Sequence, residues 1–162
     1  MRTLRTTLLL AIFACLSYTA SAQFQFGAGA ALDLDLNEFG VEARGQYGFN
    51  DTWRGAADFI LFFPGEGVNA FSINANAHYI FVNNPDALSV YGLAGLNFTR
   101  VSVDLGPLGG LVPGNISATD TGLNVGGGVN IPLGGLTGFA EVKYGIGGSE
   151  LGIAAGILFG GN

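Results

Sequence analysis

Residues 39–49, FGVEARGQYGF, alternate without a break. Successive side chains of an extended strand point to opposite faces, so Phe39, Val41, Ala43, Gly45, Tyr47 and Phe49 share one side. Gly40, Glu42, Arg44, Gln46 and Gly48 share the other. In a water-soluble sheet the apolar side would cover a core and the charges would meet solvent. Composition argues for the reverse. Only 11% of the 162 residues are charged and 49% are hydrophobic. A chain so sparing with charge places Glu42 and Arg44 mid-strand because something encloses them.

Seven further segments alternate in the same way, each bounded by turn residues, giving eight in all at 24–33, 39–49, 53–63, 70–81, 89–100, 121–131, 137–146 and 151–159. Helical periodicity is absent after the first 22 residues, and the 28 glycines disfavour helices. The connections NDT (50–52), VNNPDA (82–87) and PLGGL (132–136) read as turns. Between them fall LDLNE, PGEGVN, the long stretch 101–120 and GGSE, so turns gather at one end and loops at the other. That arrangement is expected of a membrane barrel.

Aromatic spacing gives the wall a height. Phe39 to Phe49, Trp53 to Phe63 and Phe71 to Phe81 each span ten positions of one parity. At ~3.3 Å per residue and a tilt of ~40°, ten residues cover about 25 Å along a barrel axis, the height of a lipid-facing band between aromatic girdles. Phe39, Phe49, Trp53, Phe63, Phe71, Phe81 and Phe159 are the expected girdle residues. Sorted by the same parity, the inward positions collect Glu42, Asp58 and Glu141 against Arg44, Arg54 and Lys143. With Gln46 and His78 they form the expected polar network of the lumen. Outward positions between the girdles carry no charge, which would cost ~2–4 kcal/mol near a bilayer midplane.

A three-residue NDT turn puts Phe49 opposite Trp53 and fixes the register of the two strands it joins. Arg44 then faces Asp58, Phe39 meets Phe63, and Tyr47 covers Gly55, an aromatic–glycine pairing that stabilises sheets. An Arg44–Asp58 cross-strand pair is expected, with Glu42 and Lys143 or Glu141 completing the network. In the fifth segment Val90, Ala94, Leu96 and Phe98 read outward and Asn97 and Thr99 inward, with Leu93 inside. Past Arg100 the apolar parity moves to Val101, Val103 and Leu105. Either a bulge intervenes or the strand has left the membrane.

The first 22 residues read as a secretory signal, with Arg2 and Arg5 before a short apolar run and Ala20-Ser21-Ala22 as the cleavage site. Residues 23–162 are then one domain. The only cysteine of the sequence, Cys15, leaves with the signal. Four of the six basic residues remain against all twelve acidic ones, a net charge of −8. That balance argues against nucleic acid as a partner.

With the signal ending ASAQ, the alternating strands and the last strand LGIAAGILF, the chain resembles the small eight-stranded OmpA/OmpX-type outer-membrane barrels of bacteria. The resemblance implies a closed, antiparallel, up-and-down transmembrane β-barrel in the outer membrane. Members of that family usually end on an aromatic residue, whereas Gly160, Gly161 and Asn162 follow Phe159 here.

Candidate chemistry is thin. His78 is the only histidine, and Ser72 lies six residues away on the same face, ~20 Å along a strand. One histidine without cysteine lacks a zinc set. GLNVGGGVNIP (122–132) has neither the following helix nor the Lys-Ser/Thr of a phosphate loop. Its inward glycines 126 and 128 make room for large side chains across the lumen instead. No catalytic residue, cofactor or metal centre is expected, and the chain is not read as an enzyme. At the loop end, Asp33, Asp35, Glu38, Glu66, Asp104, Asp120 and Glu150 form either a hydrated rim or a site shared by divalent cations. The expected partners are outer-membrane lipid and lipopolysaccharide, around a monomer. The expected role is structural or surface interaction, with a plugged lumen and the loops as working surface. A narrow channel or pocket for small hydrophobic molecules is the alternative, and a lipid-modifying enzyme the second.

Overall fold

A computed structural model describes residues 24–35, 37–65, 67–103, 116–147 and 151–161. Eight strands follow one another in chain order: β1 (Phe24–Asp33), β2 (Glu38–Gly48), β3 (Trp53–Phe62), β4 (Val68–Asn84), β5 (Leu88–Val103), β6 (Ile116–Pro132), β7 (Leu136–Ile146) and β8 (Leu151–Gly160). Each pairs antiparallel with its sequence neighbours, and β1 pairs with β8, closing the barrel. Closure leaves no free sheet edge around the wall. The signal expected at 1–22 lies outside the described residues.

Local chemistry explains the turns. Asn50 Oδ1 accepts from the amides of Thr52 at 2.9 Å and Trp53 at 2.8 Å, folding the chain back within three residues. Gly134 and Gly135, at φ +65° and +99°, adopt a backbone conformation that side chains disfavour, which is why PLGGL turns where it does. These turns and Pro85–Ala87 lie at one end, together with the start of β1 and the end of β8.

The β2–β3 register is the one that the turn implies. Arg44 pairs with Asp58 and Tyr47 with Gly55 along the backbone, and the Phe39 and Phe63 rings stack at 6.4 Å. One detail differs. The ring against Gly55 belongs to Phe49, whose Cε2 would lie 3.2 Å from a Cβ there, while Tyr47 packs edge-on against Phe49 at 5.3 Å. The diagonal neighbour reaches the glycine because twist carries the directly opposed ring past it.

Strands β4, β5 and β6 run longer than their alternating segments. Residues 101–103 and 116–120 are strand, so the loop expected over 101–120 is shorter by those positions. Their Ser, Thr and Asp content, read as loop, is carried by continuous pairing from Val103 opposite Ile116 inward. No register shift occurs near Arg100. The shift falls between Ile80 and Val82, where Phe81 is the extra residue. Leu93 is indeed inside, packed with Ile80 and Tyr91.

Inside and outside divide cleanly. Val41, Phe59, Leu61, Ile73, Leu96, Leu123, Val142, Ile153 and Ile157 are exposed on the outer wall. Arg44, Asp58, Asn74, His78, Asn124, Glu141 and Lys143 are buried in the lumen. A second apolar patch inside joins Ala31, Ile60, Phe139, Ala154 and Leu158. Outer rings form chains near both ends: Trp53–Tyr79–Phe81 and Phe26–Phe159 toward the turns, and Phe39–Phe63 and Phe71–Phe98 toward the loops. Phe71 is only half exposed, wedged between Phe59 and Phe98.

Candidate functional site

The charged centre of the lumen is assembled from strands on opposite walls. Alternation turns Glu42 and Arg44 of β2, Asp58 of β3 and Glu141 and Lys143 of β7 to the inside. Arg44 holds Glu141 with both ends of its guanidinium, Nη1 donating to Oε2 at 2.9 Å and Nη2 to Oε1 at 2.8 Å. Its Nε donates to Glu42 Oε1 at 2.5 Å. Asp58, the cross-strand neighbour, is 3.9 Å from Nη2 and is held mainly by Lys143, whose Nζ donates to Oδ1 at 2.9 Å. The pairing expected between Arg44 and Asp58 is therefore the weakest contact in the cluster. A two-pronged carboxylate matches the planar guanidinium fork better than a cross-strand acid reached along the wall.

Aromatic side chains complete the packing. The Arg44 guanidinium lies 4.2 Å from the centre of the Phe139 ring, a cation–π contact in a dry interior. Tyr91 donates its hydroxyl to Glu141 Oε2 at 2.8 Å and stacks on His78, rings 4.4 Å apart and 7° from parallel. Room for these rings comes from glycine on the adjacent strand rather than across the lumen as expected, since Tyr91 is paired directly with Gly128 and Phe139 with Gly156. A Cβ on Gly128 would stand 2.6 Å from the Tyr91 hydroxyl, and one on Gly156 2.8 Å from Phe139. Backbone also crowds these positions: a Cβ would meet the Ala28 carbonyl at 2.3 Å on Gly156 and the Val142 carbonyl at 2.0 Å on Gly126.

Beside the charges runs a neutral ladder on β4, β5 and β6. Asn97 Nδ2 donates to Ser72 Oγ at 2.8 Å and Asn74 Oδ1 at 2.9 Å, and Asn124 Nδ2 reaches Asn74 Oδ1 at 2.7 Å. Asn74 Nδ2 joins the ladder to the charges through Asp58 Oδ1 at 2.6 Å. Composition hides this ladder, because Asn, Ser and Thr are equally at home in turns. Its signal was parity: Ser72, Asn74 and Asn76 recur at every second position.

Of the expected lumen residues, Glu42, Arg44, Asp58, His78, Glu141 and Lys143 come together. Gln46 and Arg54 lie one layer toward the turns. Gln46 Nε2 donates to Gln25 Oε1 at 2.5 Å, and Arg54 sits 5.8 Å from the centre of the Tyr91 ring. Neither nitrogen of His78 has a hydrogen-bond partner among the described residues, and Ser72 is engaged by Asn97 and Thr99 instead. No nucleophile–base pair forms at His78.

Two cavities flank the cluster. One of about 50 Å³ lies toward the loops among Ile60, Phe62, Ser72, Asn97, Asn124 and Lys143. The other, about 360 Å³, opens at the turn end around Arg54. Glu42, Arg44, His78, Tyr91 and Glu141 line neither of them. At the rim Asp35 Oδ2 accepts from the Leu151 amide at 2.6 Å and Asp33 Oδ1 from the Asp35 amide at 2.9 Å. Among the described residues no three acidic or histidine side chains group to hold a metal. Glu66, Asp104 and Glu150 lie outside them.

The fold is shared with solved barrels. The N-terminal β-barrel domain of Pseudomonas aeruginosa OprF matches with a TM-score of 0.67 at 16% identity, over 86% of this chain and 97% of that one. Neisserial surface protein A matches at 0.67 and 24%, over 87% and 99%. Ail, the attachment invasion locus protein of Yersinia pestis, matches at 0.58 and 19%, over 85% and 96%. The sequence matches no protein-family model and no curated protein. The likeness is one of fold: an all-β, closed, eight-stranded antiparallel barrel of the small outer-membrane type.

Proposed function

We propose that this chain is a monomeric, plugged barrel of the bacterial outer membrane whose role is structural or surface interaction, with lipid and lipopolysaccharide around its wall and its loops as working surface. The observation carrying the reading is the pairing of an apolar outer wall with a lumen crossed by the Arg44–Glu141–Tyr91–His78 group. Eight strands leave an interior just wide enough for side chains, and here ion pairs and rings occupy it. Two of the solved barrels that share the fold bear names that refer to a surface protein and to attachment and invasion, which supports a role at the cell surface. No step of chemistry is assigned to the lumen, because His78 lacks a hydroxyl or thiol partner.

Planar-bilayer recording tests the plug. The protein is expected to stay silent, and a steady open-state conductance would favour a narrow conduit joining the two cavities. Mass spectra of lipid A from cells with and without the protein are expected to be identical.

A further inference from the structure

Arg54 is the lumenal base that the central cluster does not use. It faces inward from the first turn-side position of β3, opposite His78 and Gly48. Arg44 and Lys143 each form salt bridges, whereas Arg54 forms none among the described residues. With the Asn130 amide turned to present its oxygen, that oxygen accepts from Arg54 Nη1 at 2.5 Å and from Gln46 Nε2 at 3.2 Å. A guanidinium has five N–H donors in a planar fork, so most of them remain for the turn-end vestibule that Arg54 lines.

Three neutral groups of that vestibule, Asn50, Asn84 and Thr137, keep donors as well. Asn50 spends its side-chain oxygen on the amides of Thr52 and Trp53, and Asn84 spends its own on the amide of Asp86 at 3.1 Å. Both keep an NH₂ group to donate. Thr137 Oγ1 accepts from Gln25 Nε2 at 3.1 Å, which leaves its hydroxyl hydrogen for another acceptor. Gln25, Asn83 and Ser89 spend their donors within the wall, so the donors left to the space are those of Asn50, Asn84, Thr137 and Arg54, the last with a full positive charge. Asp51 is the one acid among the described lining residues. At about 360 Å³ the vestibule is in the size range of small-ligand sites.

We propose that the turn-end vestibule, floored by Arg54 and walled by Asn50, Asn84 and Thr137, binds a small carboxylate monoanion. A carboxylate matches the guanidinium fork with two parallel hydrogen bonds. Asp51 disfavours a phosphate dianion in the same space by like-charge repulsion.

The test is a titration of the refolded barrel in detergent micelles at pH 8, at constant ionic strength with chloride as balancing salt. Sodium acetate and sodium phosphate are the probes, and the backbone amide signals of Gly48, Ser89 and Thr137 are the readout. Acetate is expected to give saturable shifts with a Kd on the order of millimolar, tighter than phosphate. Arg54→Gln is expected to weaken acetate at least tenfold, Arg100→Gln to leave it unchanged, and Asp51→Asn to tighten it by a factor of two or more. Shifts that do not saturate, or that survive Arg54→Gln, overturn the site. Phosphate binding tighter than acetate overturns the carboxylate assignment. Should Arg54→Gln fail to refold, acetate binding indifferent to Asp51→Asn overturns the proposal as well.

Discussion

Two walls of the same lumen solve the problem of buried polarity differently. On β2, β3 and β7 the inward positions hold full charges, and each carboxylate depends on a particular base. On β4, β5 and β6 they hold hydroxyls and amides, which give and accept within one ladder. Arg44 is the nearest base to both Glu42 and Glu141, whereas Asn97 and Asn124 each reach two acceptors. The charged wall therefore fixes the packing of the lumen, and the neutral wall tolerates change.

Substitutions rank that contrast. Arg44→Ala strands Glu42 and Glu141 together in a site without solvent and is expected to destabilise the barrel by about 3–5 kcal/mol, measured by urea unfolding in lipid vesicles. The double variant Arg44→Ala/Glu141→Ala is expected to be less destabilised than the two single losses added. Coupling of Arg44 to Asp58 in the same cycle is expected to be the smaller, and the reverse would break the assignment of Glu141 as principal partner.

Lys143→Met comes next. It removes the charged hydrogen bond to Asp58, but Asn74 still donates to the same oxygen, so a loss of about 1.5–3 kcal/mol is expected from the same unfolding curves. Gly128→Val sharpens the packing side of the account. Its branched side chain collides with the Tyr91 hydroxyl that holds Glu141, at an expected cost of about 1–3 kcal/mol. Loss of tyrosine–histidine stacking should then appear as ring-current shifts at His78. On the neutral wall, Thr99→Val is expected to stay within about 1 kcal/mol of the parent. A larger loss there than at Lys143 would erase the distinction between the walls.

How much of this was legible follows from what each residue's position depends on. The side of the wall on which Glu42, Arg44, Asp58, Glu141 and Lys143 project follows from parity alone, and the β2–β3 register from the length of one turn. Both are local properties that a sequence carries. Which base meets which acid is not local. Arg44 reaches Glu141 across the lumen, from β2 to β7, and that depends on the stagger of all eight strands, which no single hairpin fixes. The extra length of β4, β5 and β6 was hidden by Ser, Thr, Asn and Asp among its residues, whose strand pairing is supplied by neighbours rather than by their own propensity. Tyr91 could have been found. It shares the parity of Leu93, Asn97 and Thr99 and points inward, away from the girdles.

The central claim is that the greasy wall faces hydrocarbon while the ion pairs are shut within. Spin labels on Val41→Cys, Phe59→Cys, Val142→Cys and Ile157→Cys, in protein reconstituted into lipid vesicles, test it most directly. Relaxation by dissolved oxygen is expected to dominate at all four positions, with little effect from a water-soluble nickel chelate. Stronger relaxation by the chelate at these positions would place them in water and contradict the account.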